Sequence, residues 1–432
     1  MRAGFALFLL VVIPSISATA GTVTVNALTD DGAGNCAAKC TLRDAILSAS
    51  PADTIVFSSS LSYPATIVLS GTELYVFRDV TIVGPGIDAL AISANQQSRI
   101  MNVAVSASAN ISGLTLRDGF AADGQEGGAF VVNAGSSLVL TRVLLTANRA
   151  VNVNEGGSAE GGAIYAEGDV RISDSILSDN HAIGGRGGDL IVCPSIDLGS
   201  AGPGGYASGG AISAGAGLVL SNVVLANNSA TGGMGGDAPD GSACHAGAGG
   251  HALGGALGYQ PRGGNASTAG GYVGFVTAVN NAVTPGGSGS TGASNVAGMA
   301  LGAAIYVEKH IFVHNSVLTT DDATKACDGY PSGLLYAWGG NLDNDSSCTG
   351  FNLHSDPQLQ VTTAFGQQLK VFPLFGSPLI DAATDCLDAE GYVLDHDVLG
   401  TPRPQDGNLD LSSQCDVGAV EYTDSIFSNG FE

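Results

Sequence analysis

The stretch GGAIYAEGDVRISDSILSDNHA, Gly161 to Ala182, decides the fold of this chain. It opens on a Gly-Gly pair, alternates through apolar residues and closes on Asn180. Two close copies read GGAFVVNAGSSLVLTRVLLTANRA from Gly127 and GGAISAGAGLVLSNVVLANNSA from Gly209. Weaker copies start at Gly254 and Gly302. A repeated unit of this length cannot bury its apolar face alone, so its copies must stack into a solenoid.

Aligning the copies on their closing polar residue puts Asn148, Asn180, Asn228, Asn281 and Asp321 in one column. Eight positions earlier stand Leu140, Ile172, Leu220, Val273 and Val313, and three positions earlier Leu145, Leu177, Leu225, Ala278 and Leu318. Ten positions earlier come Leu138, Val170, Leu218 and Ile311, with Gly271 breaking the column. The odd-even phase shifts between these columns, which predicts a corner between two short strands. Strand, corner and strand at a fixed offset give an all-β chain coiled as a single-stranded, right-handed parallel β-helix. The closing Asn suits a left-handed turn residue whose amide bonds its neighbour in the next coil, a structural ladder. The Gly-Gly pairs read as tight corners where a Cβ would clash.

Gly-rich excursions separate the copies at Asn152 to Glu160, Gly184 to Ser208, Gly232 to Gly250 and Pro285 to Ala297. They leave the coil at one phase, so they project from one side. Their Gly, Ala and Ser content offers no side chains for a core, and they are expected to be loops. Loops stacked on a rigid scaffold would make a binding surface.

Upstream of the repeats, residues 1–20 carry Arg2, an apolar core from Phe5 to Ile13 and Ala18-Thr-Ala20, which reads as a secretion signal cleaved near Ala20. Residues 21–100 hold short strands and a helix after Thr41, with Asp44 placed to complete a capping box. That helix should cap the solenoid. Residues 101–326 contain the repeats, 327–422 a C-terminal module richer in Pro and Asp, and 423–432 a tail. No segment approaches the roughly 20 apolar residues of a membrane-spanning helix.

The chain has 15 Lys plus Arg against 39 Asp plus Glu, a net charge of −24 that argues against nucleic acid as partner. Eight cysteines fit an oxidising compartment. Sequential pairing, Cys36 with Cys40, Cys193 with Cys244, Cys327 with Cys348 and Cys386 with Cys415, would brace segments that lack core contacts, although other connectivities remain open. Zinc is the rival for Cys36 and Cys40, but no second Cys/His pair stands nearby.

Three segments resemble a group of secreted bacterial proteins. Cys40-Thr-Leu-Arg43-Asp44-Ala-Ile is similar to their N-terminal Cys-Ser-Leu-Arg-Glu-Ala motif, with Thr for Ser and Asp for Glu. The repeats resemble their right-handed β-helix units, of the pectin-lyase-like kind and also similar to those of chlamydial polymorphic outer-membrane proteins. Ser377-Pro-Leu-Ile-Asp381, Gly400-Thr-Pro-Arg403-Pro and Cys415-Asp416-Val-Gly418-Ala-Val-Glu421 resemble a choice-of-anchor domain, type Q-like. The resemblance implies a β-helical protein at the surface of a Gram-negative bacterium, with Ser428 to Glu432 a sorting or attachment signal. It implies no reaction.

The chemistry-bearing residues are sparse. A polysaccharide lyase needs a cation beside carboxylates, yet Arg142, Arg149, Arg171 and Arg186 are scattered. A glycoside hydrolase needs convergent carboxylates, and Asp321-Asp322 is the one adjacent acidic pair in the coils. His310 and His314 share a strand face but stand ~13 Å apart, too far for one metal. His245 and His251 lie in a Gly-rich excursion beside Cys244 without an acidic partner in register. Asp343-Asn-Asp345 and Asp395-His-Asp397 leave calcium as the one cofactor in view, but neither has the spacing of an EF-hand loop. The sequence therefore points to an exported, non-enzymatic surface or matrix protein that displays or adheres to an extracellular carbohydrate or cell-surface ligand. The alternative is a polysaccharide lyase or glycoside hydrolase with its site in a β-helix groove.

Overall fold

Val, Leu and Ile at every second position favour extended backbone, and the columns they form fix the pairing register. The computed structural model describes residues 20–193, 199–239, 243–260, 270–291, 296–321, 323–330, 335–362 and 369–423. In it Leu140, Ile172, Leu220, Val273 and Val313 pair in succession across five coils. Leu145, Leu177, Leu225, Ala278 and Leu318 do the same. All ten are buried in one continuous core. Among the described residues the strands form sheets of 17, eight, five and four, every pair of them parallel. The one antiparallel strand pair among the described residues is the separate Leu359–Thr362 with Lys370–Pro373. This is a right-handed parallel β-helix.

The helix Leu42–Ser48 closes its N-terminal end. Thr41 Oγ1 accepts the Asp44 N–H and Asp44 Oδ2 accepts the Thr41 N–H, both at 3.1 Å, so two orphan donors of the first turn are satisfied reciprocally. Leu42, Ala45 and Ile46 turn inward and join the core, covering what would otherwise be an exposed solenoid end.

The corner expected between the two strand columns is absent as a corner. Asp169–Ser178, Leu218–Ala226 and Gly271–Val279 each run through as one strand, with Asp174, Asn222 and Phe275 at φ +51°, +59° and +51°. One left-handed residue reverses the odd-even phase without turning the sheet, as a bulge does. The real corners follow at Ala147, Asp179, Asn227 and Asn280, with φ between +55° and +57°. The left-handed residue is thus the one before each ladder asparagine, not the asparagine. It faces outward, which leaves the following amide pointing into the stack. At the opposite corner Gly161 takes φ +63°, and a Cβ on Gly162 would lie 2.0 Å from the Gly210 carbonyl.

The first Gly-rich excursion, Asn152 to Glu160, is a short turn, but the described parts of the other three are not irregular loops. Their outward runs (184–190, 232–239, 285–291) and return runs (199–206, 243–251, 296–299) alternate in a bundle held by backbone hydrogen bonds. Gly185 N–H donates to Gly157, Gly205 to Gly185, Gly233 to Gly205, Gly250 to Gly233, Gly286 to Gly250 and Gly298 to Gly286, all at 2.7–2.9 Å. Three residues further out the pattern recurs: Gly202 to Gly188, Gly236 to Gly202, Gly247 to Gly236 and Gly289 to Gly247. A three-residue period with interchain bonds marks polyproline-II-like chains, which pack closely only where glycine removes the side chain. Arg186, Met234, Pro203 and Ala248 occupy third positions and face solvent. Backbone contact replaces side-chain packing, so the bundle forms without an apolar core.

The C-terminal segment folds back over the outer face of the largest sheet. Leu369, Val371, Ala419 and Val420 pack on Ile176, Val224 and Val279, and Ala419 N–H donates to Thr277 Oγ1 at 2.9 Å. Part of that face stays uncovered.

Candidate functional site: an aromatic strip on the outer face

Strands Gly271–Val279, Ile311–His314 and Leu335–Trp338 lie side by side, with Tyr272 opposite Phe312, Phe312 opposite Tyr336, and His314 opposite Trp338. Alternation sends Ile311 and Val313 into the core and Phe312 and His314 to the outer face of the sheet, where Phe312 is exposed and His314 is covered. The same phase turns Tyr336 and Trp338 outward. Cross-strand neighbours on one face touch, so the rings form a continuous strip. His310 and Tyr336 centroids are 5.5 Å apart, Tyr336 and Phe312 5.5 Å, Phe312 and Trp338 6.0 Å, and Trp338 and Tyr272 6.1 Å. A Cβ at Gly274 would sit 2.4 Å from Tyr272 Oη, so the glycine makes room for that ring to lie along the sheet.

Phe312, Tyr336 and Trp338 remain 41%, 45% and 46% exposed. Aromatics make up 6% of this chain and Trp338 is its single tryptophan. Their convergence on solvent has no role in the core, which makes this exposed apolar patch the candidate site.

One end of the strip is polar and supported. His314 is buried, stacks on Trp338 at 5.1 Å and 22°, and has Nδ1 3.2 Å from Tyr272 Oη. Its Nε2 meets the Asn315 amide at 3.1 Å and Asp385 Oδ2 at 3.2 Å. Burial holds the His314 pKa below its ordinary value, against the opposing pull of Asp385. Burial, then Asp385, Asp388 and Glu390, push the Tyr272 hydroxyl upward. Asp388 is fixed by the N–H groups of Glu390 and Tyr392 at 3.0 and 2.7 Å. The flanking cations are occupied: Arg171 pairs with Glu390, and Lys309 Nζ donates to the Gly215 carbonyl at 2.8 Å.

A 450 Å³ cavity opens elsewhere on the same sheet, beneath the C-terminal segment, where Asp88, Arg142, Asp174 and His396 reach an otherwise mostly apolar lining. Asp174 accepts the Asn222 amide at 2.8 Å and stands 3.8 Å from His396 Nε2, while His396 Nδ1 bonds Asp395.

The residues singled out in the sequence fall as follows. Asn148, Asn180, Asn228 and Asn281 are buried and bonded in series, each Nδ2 of the first three donating to the next Oδ1 at 2.9–3.0 Å. Asp321, next in the column, is exposed, and Asp322 lies outside the described residues. The cysteines form four disulfides, Cys36–Cys40, Cys193–Cys244, Cys327–Cys348 and Cys386–Cys415. Arg186 pairs with Asp189 and Asp237 in the Gly-rich bundle. His251 Nδ1 accepts the Met299 N–H at 2.9 Å, and His245 lies in a bridge with Ser200. Asp343 is buried, with its oxygens on the Cys348 N–H and His354. Asp345 caps Ala326 and Ser347, and Asp397 accepts the N–H groups of Leu399, Thr401 and Glu421. Residues 1–19, of the segment read as a secretion signal, and the Ser428 to Glu432 tail lie outside the described residues. No described helix is long and apolar enough to cross a membrane.

The strip itself escaped the sequence reading. Its signal was a period of two, His310-x-Phe312-x-His314 and Tyr336-x-Trp338, split between segments that only the coil register unites.

No family model matches the chain, and no curated protein matches it. Among solved structures it is similar to the crystal structure of pectate lyase Pel9A, with 11% identity and a TM-score of 0.36 over 93% of this chain and 97% of that one. At that identity and score the likeness carries no argument about this chain.

Proposed function

We propose that this is an exported β-helical protein that binds an extracellular glycan through the strip of Phe312, Tyr336 and Trp338, without cleaving it. The exposed strip is the observation that carries this reading. A pyranose presents a face of C–H groups that packs on an aromatic face, and several rings in line suit a polymer rather than a small molecule. The four disulfides fit a protein working in an oxidising environment. The carboxylates of Asp343 and Asp397 are fully buried and accept backbone N–H groups, out of reach of a polymer on the surface, which favours binding over hydrolysis. The Gly-rich bundle and ladder supply rigidity, so the strip is presented preorganised.

The test is retention of the mature protein on a panel of insoluble polysaccharides, compared with the double variant Tyr336→Ala, Trp338→Ala. Binding to at least one polysaccharide should weaken about tenfold or more in the variant, as for a hot-spot pair. Equal retention of both proteins on every polymer would remove the strip from the function. Release of soluble sugar from any polymer would overturn the non-enzymatic reading.

A further inference from the structure

We propose that the glycan is a cationic amino-sugar polymer, its rings stacked on Phe312, Tyr336 and Trp338 and its ammonium groups met by Asp385, Asp388 and Glu390. This rests on the glycan-binding reading and adds the charge class of the ligand. An aromatic strip alone does not choose among neutral, acidic and basic sugars. The electrostatics around it do.

Three carboxylates stand at the Tyr272 end of the strip, and all of them act on the Tyr272 hydroxyl. Asp385 contacts His314, whose pKa burial lowers against the pull of Asp385 itself, so that its charged form is disfavoured. Asp388 is held in place by two backbone N–H groups. Glu390 pairs with the exposed Arg171, and Lys309 donates to the Gly215 carbonyl. The surrounding chain carries a net charge of −24, which repels a uronate polymer and concentrates a polycation. A protonated 2-amino group lies at the edge of the sugar ring. A sugar stacked flat on Trp338 would direct that edge toward neighbouring side chains rather than into the ring face.

Trp338 is the single tryptophan, so its fluorescence reports this site alone. The experiment titrates the full mature protein with four soluble hexamers: glucosamine, N-acetylglucosamine, glucose and galacturonate. It is run at about pH 5.5, where amines are protonated and surface carboxylates ionised. The glucosamine hexamer should bind at least tenfold more tightly than the other three. The advantage should shrink about tenfold between low and high salt, because exposed charges are screened within roughly 10 Å at 0.1 M. Asp388→Asn with Glu390→Gln should remove most of the preference; the new amide oxygen at position 388 can still accept the two N–H groups that shape that turn. Binding of a neutral hexamer at equal or greater strength overturns the amino-sugar inference and leaves glycan binding intact. Preference for galacturonate does the same. Silence from all four hexamers, together with no retention on any polysaccharide, defeats the glycan-binding reading itself.

Discussion

Asn180 Nδ2 donates to Asn228 Oδ1 at 2.9 Å, with both side chains fully buried. The same Asn180 accepts the Asn148 N–H at 3.1 Å and donates to the Leu145 carbonyl at 3.2 Å. One side chain thus satisfies groups in two neighbouring coils where water cannot enter. Asn180→Ala takes this partner from the Asn148 backbone N–H and the Leu145 carbonyl, while the Asn148 side-chain amide keeps the Leu116 carbonyl, and a buried polar group without a partner costs ~1–3 kcal/mol. The expected loss is about 3 kcal/mol of unfolding free energy, read from the shift in denaturant midpoint. A shift worth under about 0.5 kcal/mol, the scale of an ordinary surface substitution, would show that the ladder is decorative.

Backbone approach in the Gly-rich bundle gives a second prediction. A Cβ on Gly205 would fall 1.9 Å from the Gly157 carbonyl oxygen, and backbone cannot yield as a flexible side chain does. Gly205→Ala should therefore open the bundle locally while the apolar core persists. Hydrogen exchange should accelerate at Gly185, Gly205 and Gly233 and stay slow at Ile172 and Leu220. Met234→Ala, at an exposed third position, should leave protection unchanged. Equal protection in the Gly205 variant would mean that the chains are not closely packed in solution.

These two regions also show how far the sequence could be read. The apolar columns, the helix cap at Thr41 and the cysteine partners were legible because each rests on a local pattern: a period, a capping box, a sequential pair. The bundle was not, because Gly-Gly-x-Gly-Gly at 184–188 has period three, and glycine-rich runs are ordinarily read as loops. Its cohesion comes from the absence of side chains, which composition alone presents as an absence of structure. Phe275 illustrates a different limit. It takes φ +51°, a conformation a bulky aromatic rarely adopts, because the coil register forces a bulge at its position. The aromatic strip was hidden for a third reason. Phe312 and Tyr336 are distant in sequence and become neighbours only when the register of the last coils is known.

Burial of acid groups under the C-terminal segment sets the sign of the pH response. Asp416 is 1% exposed, accepts the N–H groups of Asp381 and Tyr422 at 2.8 and 2.6 Å, and neighbours Glu421. Burial and the Glu421 charge push its pKa from 3.8 up to about 7. Glu421 is raised as well, chiefly by burial, although Arg403 stands 3.3 Å away and opposes the shift. A carboxyl whose pKa is raised on folding stabilises the native state most below its unfolded value. That advantage is lost as pH climbs toward the folded value, with a limiting slope of about 1.4 kcal/mol per pH unit for one proton. Unfolding of the C-terminal segment should therefore become easier between about pH 4 and about pH 7 and level off above that. Asp416→Asn removes the titration but keeps an acceptor for only one of the two N–H groups, which sit on different carboxylate oxygens, so its melting temperature should be lower throughout and vary much less across that window. Surface carboxylates held by cations, such as Asp31 with Lys39, push the opposite way but only at lower pH, since the Asp31 pKa is lowered to about 2. Thermal unfolding followed at several pH values in both proteins is the measurement. A wild-type melting temperature that rises from about pH 4 to about pH 7, or an Asp416→Asn profile that matches it, would show that Asp416 ionises in the native state at its ordinary pKa.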